Sequence, residues 1–489
     1  MRRRDSRDRK RRGRNAARSA GAAQPREPAG EARSAPLSIV VLAAGEGKRM
    51  KSALPKVLQP LAGRPLLQHV IDTARTLAPS AIHVVYGHGG EHVRAALAGA
   101  PVSWKLQERQ LGTGHAVAQA MPQIPDDHRV LVLYGDVPLL SHDTLRQLID
   151  LAGDGGVSVL TARFADPQGY GRIVRTPRGL VQRIVEQKDA SARQLAIREC
   201  NTGVLVSPAG RLRGWLARLT TANSQGEYYL TDVIASAVKD KVPVRALCTP
   251  EPDEALGVND KAQLAQLESF CRRRSARALL LAGVTLADPE RVEVRGTLTH
   301  GQDVFIDVNV IFAGRVALGD RVHIGAGCVV RDSEIGADTQ VHPYCLIEGA
   351  LIGPDCRIGP FARLRPAATL APEVHIGNFV EVKNSQLGAG SKANHLAYVG
   401  DAEVGSRVNI GAGTIVANYD GAAKQHTTIG DDVHTGSNSV LVAPIVVGAG
   451  ATIAAGSTVT REVPAGKLTI ARASQTTIES WRRPVKQKK

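Results

Sequence analysis

The sequence predicts three parts in order: an α/β domain with a mostly parallel sheet, one long connecting helix, and a solenoid of short parallel strands. Two patterns carry this expectation. From Leu37 onward, apolar strand runs alternate with amphipathic helical stretches, as in sheets covered by helices on their faces. From Ile306 to Val459, aliphatic residues recur at every sixth position.

The first part opens with Ser38-Ile39-Val40-Val41-Leu42, a buried-strand run that breaks into the Gly-bearing loop Ala43 to Met50. Leu66, Leu67, Val70, Ile71, Ala74 and Leu77 then share one helical face. Ile82 to Tyr86 reads as a second strand, ending in Gly87-His88-Gly89-Gly90, and Arg129 to Tyr134 as a third, with Asp136 just past its end. Ligands of such sheets bind at the carboxyl ends of strands, where the Gly loop and Asp136 both lie. The connecting helix spans Lys261 to Ala282, with Leu264, Leu267, Cys271, Ala278 and Leu281 at helical spacings and Gly283 as its stop.

In the third part Ile306, Phe312, Leu318, Ile324 and Val330 begin the count in sixes. Slips of one residue restart it at Ile335, Ile352, Leu387 and Val404, and a last run goes from Ile429 through Thr435 to Val459. Of 26 frame positions, 24 are Ile, Val, Leu or Phe, and thirteen are followed directly by Gly. A period of six fits neither a lone helix nor a hairpin sheet. It fits flat-faced coils that turn at small residues and stack, because no single coil can bury its own apolar residues. Taken alone, the repeat is also compatible with a scaffold or oligomerisation domain, since fold does not fix function.

Bulk properties narrow the function. The 489 residues allow two or three domains, and 43% hydrophobic content supports real cores. Aromatics at 3% make those cores aliphatic. The net charge is +16, but Met1 to Pro36 holds 12 Arg and Lys against 4 Asp and Glu, a local +8 that leaves +8 for the rest. That Arg-, Ala- and Gly-rich segment cannot bury a core and is expected to be a disordered basic tail. It lacks the apolar stretch of a secretory signal and the interleaved aromatics of a nucleic-acid arm. The six cysteines are scattered without a C-x-x-C, which points to a reduced, cytoplasmic setting. No apolar run reaches the roughly 18 residues of a membrane span.

A Gly-rich loop after a first strand lets backbone N–H groups approach phosphates, and Arg49 and Lys56 add positive charge there. The loop has neither the dinucleotide G-x-G-x-x-G nor the Walker pattern. Leu42 to Met50, then Leu54-Pro55-Lys56-Val57-Leu58, resembles the sugar nucleotidylyltransferases. Gln107 to Ala116 and Tyr134-Gly135-Asp136-Val137-Pro138-Leu139 extend the resemblance. The sixfold repeat resembles the hexapeptide-repeat transferases, which implies a left-handed parallel β-helix. Together, from Leu37 to Lys489, the chain resembles a bifunctional family: N-acetylglucosamine-1-phosphate uridylyltransferases that are also glucosamine-1-phosphate N-acetyltransferases. One departure is Lys48, where the family more often has Thr.

The resemblance implies a division into residues 1–36 (tail), 37–260 (uridylyltransferase), 261–282 (linker helix), 283–464 (acetyltransferase β-helix) and 465–489 (tail). It implies that Leu42, Ala43, Ala44, Gly45, Lys56, Gln107, Gly112, Thr113, Tyr134 and Gly135 surround the uridine nucleotide. Gly171, Glu186 and Asn201 would hold the sugar, and Asp136 and Asn259 would ligate Mg²⁺, with Lys56 and Arg49 as the catalytic cations. On the β-helix, His395 would be the general base; a histidine titrates near operating pH, which suits that task. Arg365 and Lys383 would hold the sugar phosphate, Tyr398 and Asn409 would contact the sugar, and Asn418 and Tyr419 would lie at the same site. Ala412, Ser437, Ala455 and Arg472 would line an acetyl-CoA groove. His434 and Thr435 depart from a pair that the family usually fills with apolar residues.

The expected activity is therefore acetylation of glucosamine-1-phosphate by acetyl-CoA, then coupling of N-acetylglucosamine-1-phosphate to UTP. The product, UDP-N-acetylglucosamine, would serve cell-wall and lipopolysaccharide precursors. The implied setting is a cytoplasmic homotrimer acting on small molecules, with no membrane and no nucleic-acid partner. The competing expectation is a single-activity nucleotidylyltransferase whose β-helix is a scaffold.

Overall fold

The computed structural model describes residues 35–45, 47–87 and 90–486. Most of the basic N-terminal segment, Glu46 and the His88-Gly89 pair lie outside the described residues.

The first domain is a twisted sheet with strands in the order Val244–Cys248, Val157–Arg163, Glu199–Pro208, Arg129–Tyr134, Leu37–Ala43, Ala81–Gly87 and Ser103–Gln107. Only Glu199–Pro208 runs antiparallel to both neighbours on this path. The strand Leu37–Ala43 is buried at every position, Ser38 included, as its largely apolar run demands of a central parallel strand. Helices cover both faces. Leu66–Thr76 and His142–Ala152 pack on one side, and Thr113–Ala120, Ala209–Leu216 and Asp232–Lys239 on the other. Chain order departs from Leu37–Ala43 in both directions, so the crevice at its carboxyl end is the topological switch point.

The linker helix Lys261–Leu281 starts on an Asp260 cap, whose side chain accepts from Gln263 N–H. It ends in a Schellman turn. Gly283, at φ +93°, donates to Leu280, and Val284 donates to Leu279. The helix does not bury one continuous stripe. Leu264 and Leu267 pack against Met50, Leu61, Leu66 and Leu139 of the first domain. Ala276 and Leu279 pack on Val284, Leu286 and Val304 at the base of the solenoid. Ala278 and Leu281, expected on the buried face, are exposed, Leu281 at 80%. The helix changes partners midway, so the apolar face rotates where the sequence spacing assumed it would run straight.

The solenoid coils are 17 or 18 residues long, as the register of Ile324 with Val341, Val341 with Ile358 and Ile358 with Ile376 shows. All 26 frame residues point inward and none is more than 5% exposed. Regular strand covers only two or three residues on most faces, as in Gln340–Val341 and Arg363–Leu364, and the rest forms corners. In the first coils, Val292–His300, Val310–Leu318 and Val329–Ile335 run without a break across one corner. Corner glycines such as Gly336 are required by the stacking: a Cβ there would stand 2.5 Å from Pro354 N of the next coil. One long coil carries an eight-residue surplus, Ile410 to Thr435, with a loop at Asn418–His426 that is mostly exposed beyond its buried first residue, Asn418. Leu468–Thr469 adds a last strand against Thr452–Ile453.

Two candidate active sites

At the switch point lies a cavity of about 330 Å³ lined by Leu42, Ala43, Ala44, Gly45, Lys56, Gln107, Gly112, Thr113, Tyr134 and Asp136. Gly112 begins the helix Thr113–Ala120 at φ +108°, where a Cβ would meet the Tyr228 backbone at 2.7 Å. The Gln107 amide reaches the Gly112 carbonyl at 3.2 Å and His115 Nδ1 at 3.0 Å, which holds the loop against the sheet. Gly135 N–H donates to the Leu42 carbonyl at 2.9 Å and ties the two central strand ends together.

Four polar side chains from three segments meet beside the cavity, and two of them, Lys56 and Asp136, line it. The Lys56 ammonium contacts Asp136 Oδ2 directly and lies 3.4 Å from Asn259 Oδ1. Arg49 donates to the same Asn259 oxygen at 2.9 Å. Asn259 is fixed by its own N–H to Gln263 (2.7 Å), and Val258 N–H by the Asp136 carbonyl (2.9 Å). Two oxygens thus converge on one cation, an arrangement into which a hard divalent ion fits.

Beyond Tyr134 the expected sugar residues assemble. Gly171 faces Glu186: a Cβ there would stand 3.4 Å from both carboxylate oxygens. The Gly171 carbonyl takes Asn201 N–H at 2.8 Å. Burial pushes the Glu186 carboxyl above the usual carboxylate range; Asp232 and Asp189 add to this, and a hydrogen bond from Thr231 opposes it. Burial, with Glu186 and Asp136 nearby, likewise drives the Tyr134 phenol upward.

Sequence reasoning gave no role to Gln110 or Glu227, which also line the cavity. Gln110 lies inside a quoted motif, and its amide contacts the Ala44 carbonyl. Glu227 comes from a distant loop and carries no sequence signal.

On the β-helix, His395, Ala412, Ser437 and Ala455 occupy one corner of four successive coils. The carbonyls of His395, Ala412 and Ser437 accept from Gly413, Asn438 and Gly456 in turn, and the Arg472 guanidinium closes on the Ala455 carbonyl. His395 is exposed, with Nδ1 3.0 Å from Asn378 Oδ1 one coil below. On the adjoining face, which carries the paired strands Glu381–Lys383 and Tyr398–Gly400, Arg365 pairs with Glu381 at 2.8 Å and Lys383 with Asp401 at 3.8 Å. Asn418 lies 3.3 Å from the Tyr398 hydroxyl. Tyr419 stands exposed in the loop with Lys424 over its ring at 4.7 Å. Asp420 knots that loop. N–H groups of Ala423 and Ala422 and the Gln425 amide hold its carboxyl down at about 2. Asn409 stacks on Lys392, the first residue of the strand Lys392–His395 that ends in the histidine. Asn378, Glu381 and Asp401 were missed; each is 16 to 18 residues from a nominated neighbour, so the coil length itself would have found them.

The departure at Thr435 is absorbed. Its hydroxyl is buried, accepts Gly411 N–H at 2.8 Å and pairs with the Thr414 hydroxyl at 3.0 Å.

Fold and sites together define a nucleotidyltransferase domain joined to a hexapeptide-repeat transferase domain. Comparison with known families agrees: residues 39–228 match the MobA-like NTP transferase domain, and residues 298–332 and 426–461 match the bacterial transferase hexapeptide repeats. The bifunctional protein GlmU of Cupriavidus pinatubonensis is 59% identical over 453 residues, 93% of this chain and 100% of that protein. Those of Ralstonia pickettii and Ralstonia nicotianae are each 58% identical with the same coverage. The chain belongs to the GlmU family of bifunctional proteins. Among the described residues no helix is long and apolar enough to cross a membrane.

Proposed function

We propose that the β-helix acetylates glucosamine-1-phosphate and that the α/β domain then joins the product to UTP, releasing pyrophosphate and UDP-N-acetylglucosamine. The observation that carries this reading is the cluster in which Lys56 and Asp136, both lining the switch-point cavity, meet Asn259 and, through it, Arg49. We place the nucleotide against Leu42–Gly45, Gln107, Gly112 and Thr113, and the sugar between Gly171, Glu186 and Asn201. The sugar phosphate attacks the α-phosphorus. Lys56 and Arg49 hold the triphosphate in line, so the protein's contribution is positioning and charge neutralisation. Asp136 and Asn259 would hold Mg²⁺, which supplies further charge screening at the phosphates.

At the second site His395 takes a proton from the substrate ammonium, and the freed amine attacks the thioester of acetyl-CoA. The Asn378 carbonyl oxygen beside Nδ1 favours the tautomer with its proton there, leaving the Nε2 lone pair for the base. Arg365 and Lys383 would take the phosphate, and Tyr398, Asn409, Asn418 and Tyr419 the sugar. The small corner residues Ala412, Ser437 and Ala455 leave room for acetyl-CoA beside Arg472. These groups lie on an open corner and the face beside it, with no wall opposite among the described residues, so we read the site as shared between neighbouring chains of a cytoplasmic homotrimer. Supplying glucosamine-1-phosphate, acetyl-CoA, UTP and Mg²⁺ tests the whole reading: UDP-N-acetylglucosamine should appear. Coupling of N-acetylglucosamine-1-phosphate to UTP without any release of free CoA thiol would reduce the β-helix to a scaffold.

A further inference from the structure

Asp401 has no role in the reaction described above, yet its side chain and backbone tie several of the acetyl-acceptor residues together. It is 8% exposed. Its Oδ1 takes the Asn384 amide at 2.7 Å. Its Oδ2 takes the Asn418 amide and lies 3.8 Å from the Lys383 ammonium. The same Asn418 amide nitrogen reaches the Tyr398 hydroxyl. The backbone of Asp401 is committed as well: its N–H donates to the Lys383 carbonyl (3.0 Å) and its carbonyl accepts Thr427 N–H (3.2 Å).

Asn418 and Thr427 are the first residue of the long loop and the first residue after it. One residue of the coil below therefore grips both ends of the insertion, by side chain at the entry and by backbone at the exit. A loop of this kind spends entropy to stay in one arrangement, and a buried charged acceptor is the strong form of anchor.

We propose that Asp401 is the positioning residue of the acetyl-acceptor site, setting Lys383, Asn418 and Tyr398 and fixing the root of the 418–426 loop. This rests on the assignment of those residues to the acceptor. Asp401 does not touch the substrate; it acts through the side chains it holds.

The test uses the full-length protein. Asp401→Asn keeps the shape but can no longer accept on both oxygens, and Asp401→Ala removes both. The Michaelis constant for glucosamine-1-phosphate should rise by about 10–100-fold in the alanine variant, the size of one or two charge-assisted hydrogen bonds. The asparagine variant should fall between it and the parent. The Michaelis constant for acetyl-CoA and the uridylyl activity should stay unchanged, which a merely misfolded β-helix would not allow. Trypsin should cut faster after Lys424, which is exposed in the loop. Lys383→Ala and Tyr398→Phe are the controls. If both leave the acceptor constant unchanged, the acceptor assignment fails and the inference with it. If they raise it and both Asp401 variants do not, the positioning role alone is overturned. A lowered constant in Asp401→Asn would show the carboxylate repelling the substrate phosphate, and would also overturn it.

Discussion

Replacing Thr435 by Val restores the aliphatic that the sixfold frame wants, and the frame alone predicts a more stable coil. The structure predicts the opposite. In other coils the corner glycine donates to the carbonyl of the inward residue one coil up, as Gly325 does to Val341 and Gly436 to Ile453. Gly411 instead donates to the Thr435 hydroxyl, and the ladder there keeps only the Asn409–His434 pair. Thr435→Val leaves that N–H without its acceptor, at about 1–3 kcal/mol for a buried unsatisfied group. It also takes a partner from the Thr414 hydroxyl, while the added methyl returns roughly 0.8 kcal/mol. The net is a destabilisation of about 1–2 kcal/mol, which lowers the unfolding midpoint by roughly 2–8 °C for a domain of this size. Thermal unfolding followed at fixed protein concentration, with acetyl transfer as the readout, measures it. A midpoint equal to or above that of the parent would refute the hydrogen-bond account of this coil.

Asp136→Ala should abolish uridylyl transfer and spare acetyl transfer, as separate assays on one preparation will show. His395→Ala should slow acetylation by a factor of about 10²–10⁴ with the fold intact, since no frame position changes; a near-native rate would make this histidine structural. Glu186 has a raised carboxyl, so its ionised form weakens the fold above that pKa, and the penalty fades as pH falls through it. Glu186→Gln should therefore melt no lower than the parent at neutral pH, the difference closing in acid, while sugar binding weakens. Mixing His395→Ala chains with Arg472→Ala chains should recover some acetyl transfer if the two residues meet from different subunits; a fully active monomer by light scattering would exclude a shared site.

The solenoid was legible because its period reports directly which side chains face inward. Even Ala393 and Thr435, which break the aliphatic rule, occupy their slots and are buried. The cavity residues Leu42 to Gly45, Gln107, Gly112 and Thr113 were legible because they lie on short contiguous motifs at strand ends. Glu227 was not, because only the folded loop brings it to the cavity. The second half of the linker helix was misread for a related reason: Leu279 rather than Leu281 is buried, and the choice is made by the coil it meets. The partners of His395 and Lys383 needed one further step, the length of a coil, before they could be found by counting.

The corner that carries His395, Ala412, Ser437 and Ala455 acts as a ruler. Parallel strands in register rise by about 4.8 Å per coil, so these four residues mark off three steps, roughly 14 Å, along a straight line. The spacing does not depend on how many residues each coil spends: the step from Ala412 to Ser437 includes the whole loop, yet the strands on either side stay paired, Ile415 with Val440 and Val416 with Leu441. Sequence length can therefore grow at the corners without moving any graduation. An extended ligand laid along this edge meets fixed marks at fixed heights, and a change in its length by one step would have to be matched by a whole coil.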